Sequence, residues 1–211
     1  MNHYSAKNIQ DLDKIFRLNL INSCTGYKSA NLIATKSKSG VNNVAVFSSV
    51  THLGSNPPLI GFVLRPLVVE RQTWKNIEET GVFTINQIHS EIIEAAHLSS
   101  AKYPDDISEF DITGLEEVYL EDFFAPFVKS SKIKIALKLE EVCPIKANNT
   151  QLVVGKVEHL FIESELVKED GWINHQKAKT VAISALDTYS KGKQLGRFDY
   201  ARPHQKIISI Q

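Results

Sequence analysis

Ile133-Lys134-Ile135-Ala136-Leu137-Lys138-Leu139-Glu140 is the stretch that decides the fold. Ile133, Ile135, Leu137 and Leu139 alternate with Lys134, Ala136, Lys138 and Glu140, the two-residue period of a strand with one buried face. Such a face must be covered, and the next apolar segment supplies a partner. Pro144 to Asn149 reads as a turn and Gln151 to Ile162 as a long second strand, with Val157, His159 and Phe161 opposite Lys156, Glu158 and Leu160. Together they predict an antiparallel hairpin.

Toward the amino terminus, Tyr27 to Thr35 and Val41 to Ser49 read as two more strands, joined by the turn Lys36-Ser37-Lys38-Ser39-Gly40. Pro57-Pro58 stops the chain before another strand, Leu59 to Leu64. From Glu70 to Thr80, Trp74 and Ile77 stand three apart among polar residues and Gly81 follows, which predicts a short surface helix closed by a C′ glycine. Val82 to Ile88 returns to strand-like composition, and Ile92, Ala95 and Ala96 give helical spacing up to Leu98. Ser99 to Phe127 is irregular, punctuated by Pro104, Gly114 and Pro126; a loop of that length usually carries function. Six or so strands in hairpin order with helices between them predict a mainly β protein, an antiparallel barrel rather than a parallel doubly wound sheet.

No period repeats and no linker-like stretch occurs, so residues 1–211 read as one domain, within the size a single core commonly serves. Hydrophobic residues make up 43% and charged residues 23%, a globular composition. Lys plus Arg equals Asp plus Glu at 24 each, which leaves no net field to draw nucleic acid or an anionic membrane and points to small molecules as partners. Cys24 and Cys143 have no Cys or His at metal-ligand spacing and read as reduced core thiols, with no metal site implied. The opening MNHYSAKNIQDLDKIF lacks the basic and apolar regions of a secretory signal, and the longest apolar run, Leu59 to Leu64, is far below the roughly 20 residues that cross a bilayer. The expectation is a cytoplasmic protein without a membrane anchor.

Three clusters could carry chemistry. Phe47-Ser48-Ser49-Val50-Thr51 precedes Gly54-Ser55-Asn56-Pro57-Pro58, and hydroxyls with free N–H groups where a strand opens into a turn can cradle an anion; an ordinary Ser/Thr-rich turn would look the same. Arg65-Pro66 and then Arg71-Gln72-Thr73 put cations at the head of the predicted helix, with Glu78-Glu79 at its tail. Both ends oppose the helix dipole, which a phosphate bound at the head would correct, although Glu70 paired with a neighbouring cation on a solvated face would also explain the pattern. His97-Leu98-Ser99-Ser100-Ala101-Lys102-Tyr103-Pro104 leaves a helix for the long loop; its small residues admit a flat ring and Lys102 could balance negative charge on it, while His97 alone reads equally as a capping or core residue. The acidic pairs Asp105-Asp106 and Glu116-Glu117 read as solvated surface. G-x-G-x-x-G, the P-loop, H-E-x-x-H, C-x-x-C and G-x-S-x-G are all missing.

Taken in order, these segments resemble the flavin reductase-like FMN-binding split barrels, in particular the flavoredoxin-like branch. The resemblance runs from about residue 25 to 203. It is carried by Asn31-Leu32-Ile33-Ala34-Thr35, Phe47-Ser48-Ser49-Val50, Pro57-Pro58-Leu59-Ile60-Gly61-Phe62, Arg65-Pro66, Arg71-Gln72-Thr73 and Gly81-Val82-Phe83-Thr84-Ile85-Asn86. Ala96-His97, Ser99 to Pro104, Ser108-Glu109-Phe110, Ala125-Pro126-Phe127 and Tyr200-Ala201-Arg202-Pro203 continue it. The resemblance implies a homodimer in which each six-stranded Greek-key barrel holds one FMN non-covalently, the partner subunit helping to wall the site. It implies that Ser48, Ser49 and Val50 wrap the flavin, that Arg65, Arg71 and Thr73 contact phosphate and ribityl chain, and that Ala101, Lys102 and Tyr103 lie near the ring. Tyr200 to Pro203 would close the pocket from one subunit or the other. The implied activity passes electrons from NAD(P)H through FMN to an acceptor, a redox protein among the candidates. An FMN electron carrier without direct NAD(P)H oxidation, a non-catalytic flavin-binding module and, last, a split-barrel oxidase of pyridoxine phosphate-like substrates are the alternatives.

Overall fold

The computed structural model of the chain describes residues 1–66, 71–104 and 106–210, so Glu70 and Asp105 lie outside the described residues. In chain order the elements are α1 (Ala6–Asp11), α2 (Lys14–Ser23), β1 (Lys28–Ser29), β2 (Asn31–Lys36), β3 (Asn42–Phe47), β4 (Thr51–Ser55), β5 (Pro58–Leu64), α3 (Gln72–Thr80) and β6 (Val82–Gln87). There follow α4 (Ile93–Leu98), α5 (Glu109–Thr113), β7 (Glu117–Val118), β8 (Phe127–Val128), β9 (Ile133–Ile145), β10 (Thr150–Ile162), α6 (His175–Ala178), β11 (Val181–Ser184) and β12 (Thr188–Lys191). Among the described residues seven strands form one antiparallel sheet in the order β3-β2-β6-β9-β10-β5-β4, where the sequence predicts six or so. The additional strand is β4, which lies at a sheet edge with four of its five residues exposed. With no buried face, Thr51-His52-Leu53-Gly54-Ser55 carries no alternation for a reader of the sequence to find.

The sheet rolls up. Phe47 on β3, at one end of the strand order, packs edge-on against Phe62 on β5 with ring centroids 5.1 Å apart, and Phe62 meets Phe83 of β6 at 5.6 Å. Side chains from strands that far apart in the order can touch only if the sheet curls around them. Ile33, Phe62, Leu64, Phe83, Ile85, Leu137 and Val153 fill this interior with Ile77 of α3. Register explains why they point inward together: Phe83 faces Leu137, Ile85 faces Ile135 and Phe62 faces Val153 across adjacent strands. A second cluster, with Leu32, Ala34 and Val44 among its members, packs the other face of β2 and β3 against Ala96, Phe110 and Ile183. Residues 31–35 of β2 are all buried because both faces are covered, which is why that strand shows no period of two.

β10 departs from the predicted facing. A register shift between Val157 and His159 leaves Glu158 unpaired. The parity therefore flips: Val157 joins the interior cluster opposite Leu137, while His159 and Phe161, opposite Ala136 and Lys134, pack edge-on against Phe123 and Phe127 on the other face. The predicted Pro144 to Asn149 turn is shorter as well, since β9 runs on to Ile145. Neither cysteine is a core thiol: Cys24 is exposed at the end of α2, a helix with no buried residue, and Cys143 is half-exposed near the tip of the β9–β10 arm.

The predicted helix is α3, and it opens at Gln72 and closes on Gly81 at φ 73°, a left-handed conformation that glycine adopts without strain. The segment 99–127 is less irregular than the sequence suggests, for it holds α5 and buries Phe110, Leu115, Ala125 and Phe127. α1 and α2, together with β11 and β12, have no counterpart in the sequence reading. α1 and α2 are set by polar caps, Ser5 accepting from the Asn8 N–H and Asp13 from those of Ile15 and Phe16, rather than by a buried stripe. No helix among the described residues is long and apolar enough to cross a membrane.

Candidate functional site

The geometry of the site starts from how α3 seats on the barrel. The interior-facing row of β3 runs Phe47, Ala45, Asn43, paired with Asn31, Ile33 and Thr35 of β2, so it changes from aromatic to amide toward the end that α3 covers. There Thr73 Oγ1 donates to Asn43 Oδ1 at 2.9 Å and Asn76 Nδ2 donates to Thr35 Oγ1 at 3.0 Å. Glu109, brought in by α5, accepts from Asn43 Nδ2 at 2.9 and 2.8 Å and from the Val44 N–H at 3.1 Å. All five side chains are buried. Burial raises the pKa of the Glu109 carboxyl above its ordinary value, against the hydrogen bonds from the backbone and Asn43, which lower it.

Arg71 stands at the head of α3 with no side-chain cap on the helix; no acidic residue occupies the first turn and no basic one the last. The predicted reversal of charge along the helix is therefore present in the folded chain. The Nε of Arg71 is buried and has no hydrogen-bond partner among the described residues. Thr73, expected beside a phosphate, is buried and its hydroxyl donates a hydrogen bond to Asn43 Oδ1.

Ser48, Ser49 and Val50 connect β3 to β4 and are half-buried. The Ser49 hydroxyl takes the place of a strand partner of β5, its Oγ accepting from the Val63 N–H and donating to the Val63 carbonyl, both at 3.1 Å. This brings the serine segment beside the end of β5 and thus to Arg65, which is exposed just past Leu64. Val50 packs on the same interior cluster as Trp74 of α3, the neighbour of Thr73. From Asn43, where α3 is anchored, to Ser48 is roughly 16 Å at the rise of an extended strand.

Ala101, Lys102 and Tyr103 follow α4, the first two exposed, and the Tyr103 hydroxyl donates to the Leu98 carbonyl at 3.3 Å. No hydrogen bond among the described residues ties them to Ser48–Val50 or to Arg71. His97 meets Tyr189 edge-on, Nδ1 to hydroxyl 3.4 Å, and burial raises the Tyr189 pKa. Tyr200, Ala201, Arg202 and Pro203 are exposed, in a tail where Phe198 bridges Ser209 and Arg197 lies over the Trp172 ring and pairs with Asp170. A cleft of about 350 Å³ lies between the β2–β3 turn and α3, lined by Ser37, Lys38, Asn43, Gln72, Asn76 and Glu79 among others. None of the nine expected cofactor residues lines it, although Gln72 sits between Arg71 and Thr73.

The sequence did not single out Asn43, Asn76 or Glu109 for a structural role. The available signal was chemical mismatch: an amide at Asn43 inside an apolar strand, and another at Asn76, three residues after Thr73 on the face that buries Ile77. Among the described residues no group of three His, Cys, Asp or Glu side chains could hold a metal ion.

A curled antiparallel sheet with a helix set over one end of its interior defines a split β-barrel. Residues 27–181 match the flavin reductase like domain, and the chain belongs to that family. An uncharacterized protein of Halalkalibacterium halodurans is 32% identical over 165 residues, which cover 75% of this chain and 78% of that protein. A candidate flavin reductase with a split barrel domain from Shewanella frigidimarina superposes with a TM-score of 0.92 at 45% identity, over 95% of this chain and all of the other. The flavoredoxin of Desulfovibrio vulgaris shares the fold, with a TM-score of 0.70 at 21% identity over 85% and 92% of the two chains.

Proposed function

We propose that the chain binds FMN non-covalently with its phosphate at the head of α3, and passes electrons from NADH or NADPH through it to an acceptor, as a cytoplasmic homodimer. The observation that carries this reading is the buried Arg71 Nε, without a partner among the described residues, at the N-terminus of a helix whose N-cap side chain makes no capping bond. An orphaned buried donor costs about 1–3 kcal/mol. An anion there would accept from it and from the free N–H groups of the first helical turn, and would meet the positive end of the dipole. The donor set therefore fits a phosphate. Arg65, at the end of β5, is proposed as the second cation.

Ser48, Ser49 and Val50 are proposed to line the flavin with hydroxyls and backbone N–H groups, and Ala101, Lys102 and Tyr103 to stand near the ring. When bound, FMN supplies the redox chemistry, taking a hydride from a reduced nicotinamide and releasing electrons to the acceptor. The chain's own part is to hold the phosphate, orient the ring, keep water away and set Lys102 where it can balance negative charge. A side-chain general acid is not required. The flavoredoxin-like motifs support FMN rather than a dinucleotide flavin. The homodimer is supported by large apolar side chains left exposed in one chain, Ile15, Phe16 and Ile21 of α2, Tyr27, and Phe198, Tyr200 and Ile207 of the tail.

Anaerobic mixing of the FMN-loaded protein with NADH and with NADPH tests the activity. Loss of the yellow flavin absorption with at least one of them is the expected result. Reduction only by a reduced redox protein would make the chain a carrier, and failure to take up FMN at all would leave a non-catalytic barrel and end the proposal.

A further inference from the structure

Resting on the reading of Arg71 as the phosphate ligand, we propose that Glu109 is a positioning residue for that site: its carboxylate fixes the sense of the Asn43 amide, which holds the first turn of α3 where Arg71 meets the phosphate. An ionised carboxylate only accepts hydrogen bonds. Facing both Glu109 oxygens, at 2.9 and 2.8 Å, Asn43 must present its NH2 group and turn its carbonyl oxygen the other way. That oxygen is then available to Thr73 Oγ1 at 2.9 Å and to Thr35 Oγ1 at 3.4 Å. Thr73 lies two residues after Arg71, and the N–H groups of Trp74 and Lys75 both donate to the Arg71 carbonyl at 3.0 Å. The line from the long 99–127 segment to the head of the helix thus runs Glu109, Asn43, Thr73, Arg71, each step a hydrogen bond or a single helical turn.

A neutral amide at position 109 breaks this logic. One of its two groups would be an NH2 facing the Asn43 NH2 and, in the place of Oε2, the Val44 N–H as well, donor against donor among buried side chains. Turning the Asn43 amide over would relieve that conflict but would present its NH2 to Thr73. α3 would keep its anchors at Ile77 and Asn76 and lose the one beside Arg71. The barrel interior, filled by Phe62, Phe83 and Leu137, does not depend on this contact.

The test compares FMN with riboflavin, which lacks the phosphate, by fluorescence titration of the wild type, Arg71→Gln and Glu109→Gln. The wild type should prefer FMN, and Arg71→Gln should lose most of that preference. Glu109→Gln should lower the preference for FMN by on the order of tenfold, about 1.4 kcal/mol, while leaving riboflavin affinity unchanged within twofold. A merely structural role would weaken both flavins alike, and that outcome overturns the inference. So does an unchanged preference in Glu109→Gln when Arg71→Gln has lost it, with the phosphate site left standing. If Arg71→Gln keeps the wild-type preference, the phosphate reading itself fails. Should Glu109→Gln not fold, Glu109→Asp, which keeps the charge but withdraws it by one methylene, is judged by the same comparison.

Discussion

Gly155 faces the barrel interior opposite Leu139, and a Cβ placed there would stand 2.6 Å from Phe83 Cζ and 2.9 Å from Leu137 Cδ2. Those are interior side chains held by their own neighbours, so the strain cannot be shed to solvent. Gly155→Ala is expected to destabilise the fold by about 1–3 kcal/mol, the usual cost of overpacking. Urea unfolding checks it, through a lowered midpoint at unchanged slope; an unchanged midpoint would mean that the interior is looser than its packing indicates. Single residues also mark the limits of reading a sequence. Arg71 was legible as a cation at the wrong end of a helix, because that conflict is local. Glu109 was not, because the Asn43 amide that gives it a role is 66 positions away in the chain.

At the scale of elements, the junction between the barrel and the small β1-β11-β12 sheet rests on a short run of backbone contacts. The Val181 N–H donates to the Ile88 carbonyl and the Ser90 N–H to that of Lys179, both at 3.0 Å, and His89 bridges Thr180. His89 is buried there, and burial holds its pKa below the ordinary 6.5, with Glu91 and the backbone of Ser130 acting against the shift. The unfolded chain therefore binds the proton more readily. Stability from this residue is complete above about pH 6.5 and is lost as pH falls toward the lowered folded value. Glu109 acts in the opposite sense: its raised carboxyl pKa makes its ionisation cost stability as pH rises. The difference between the wild type and His89→Asn separates the two, and thermal melts from about pH 7 to about pH 5 should show a steeper loss in the wild type. Equal slopes would contradict the assignment. The β9 alternation predicted a buried face, which Ile135, Leu137 and Leu139 form, although Ala136 on the opposite face is buried too; β4 was hidden by its exposure, and the facing of β10 by a bulge that no residue type announces.

For the whole molecule, the antiparallel barrel and the hairpins β2-β3 and β9-β10 were readable because turn residues fix such neighbours locally, but the strand order was not: among the described residues β2 pairs with β6 and β5 with β10, across long stretches of chain that no local signal joins. The termini were less readable, since α1, α2 and the C-terminal tail bury little in a single chain. In the proposed function one flavin nucleotide is held by its phosphate at the head of α3. Titration of the protein with FMN, followed through the quenching of flavin fluorescence, tests it most directly. Saturation at one FMN per chain is expected and, in Arg71→Gln, an affinity lower by on the order of tenfold, the share of a charge-assisted contact of about 1.4 kcal/mol. Absence of saturable binding, or the same affinity in wild type and variant, would contradict it.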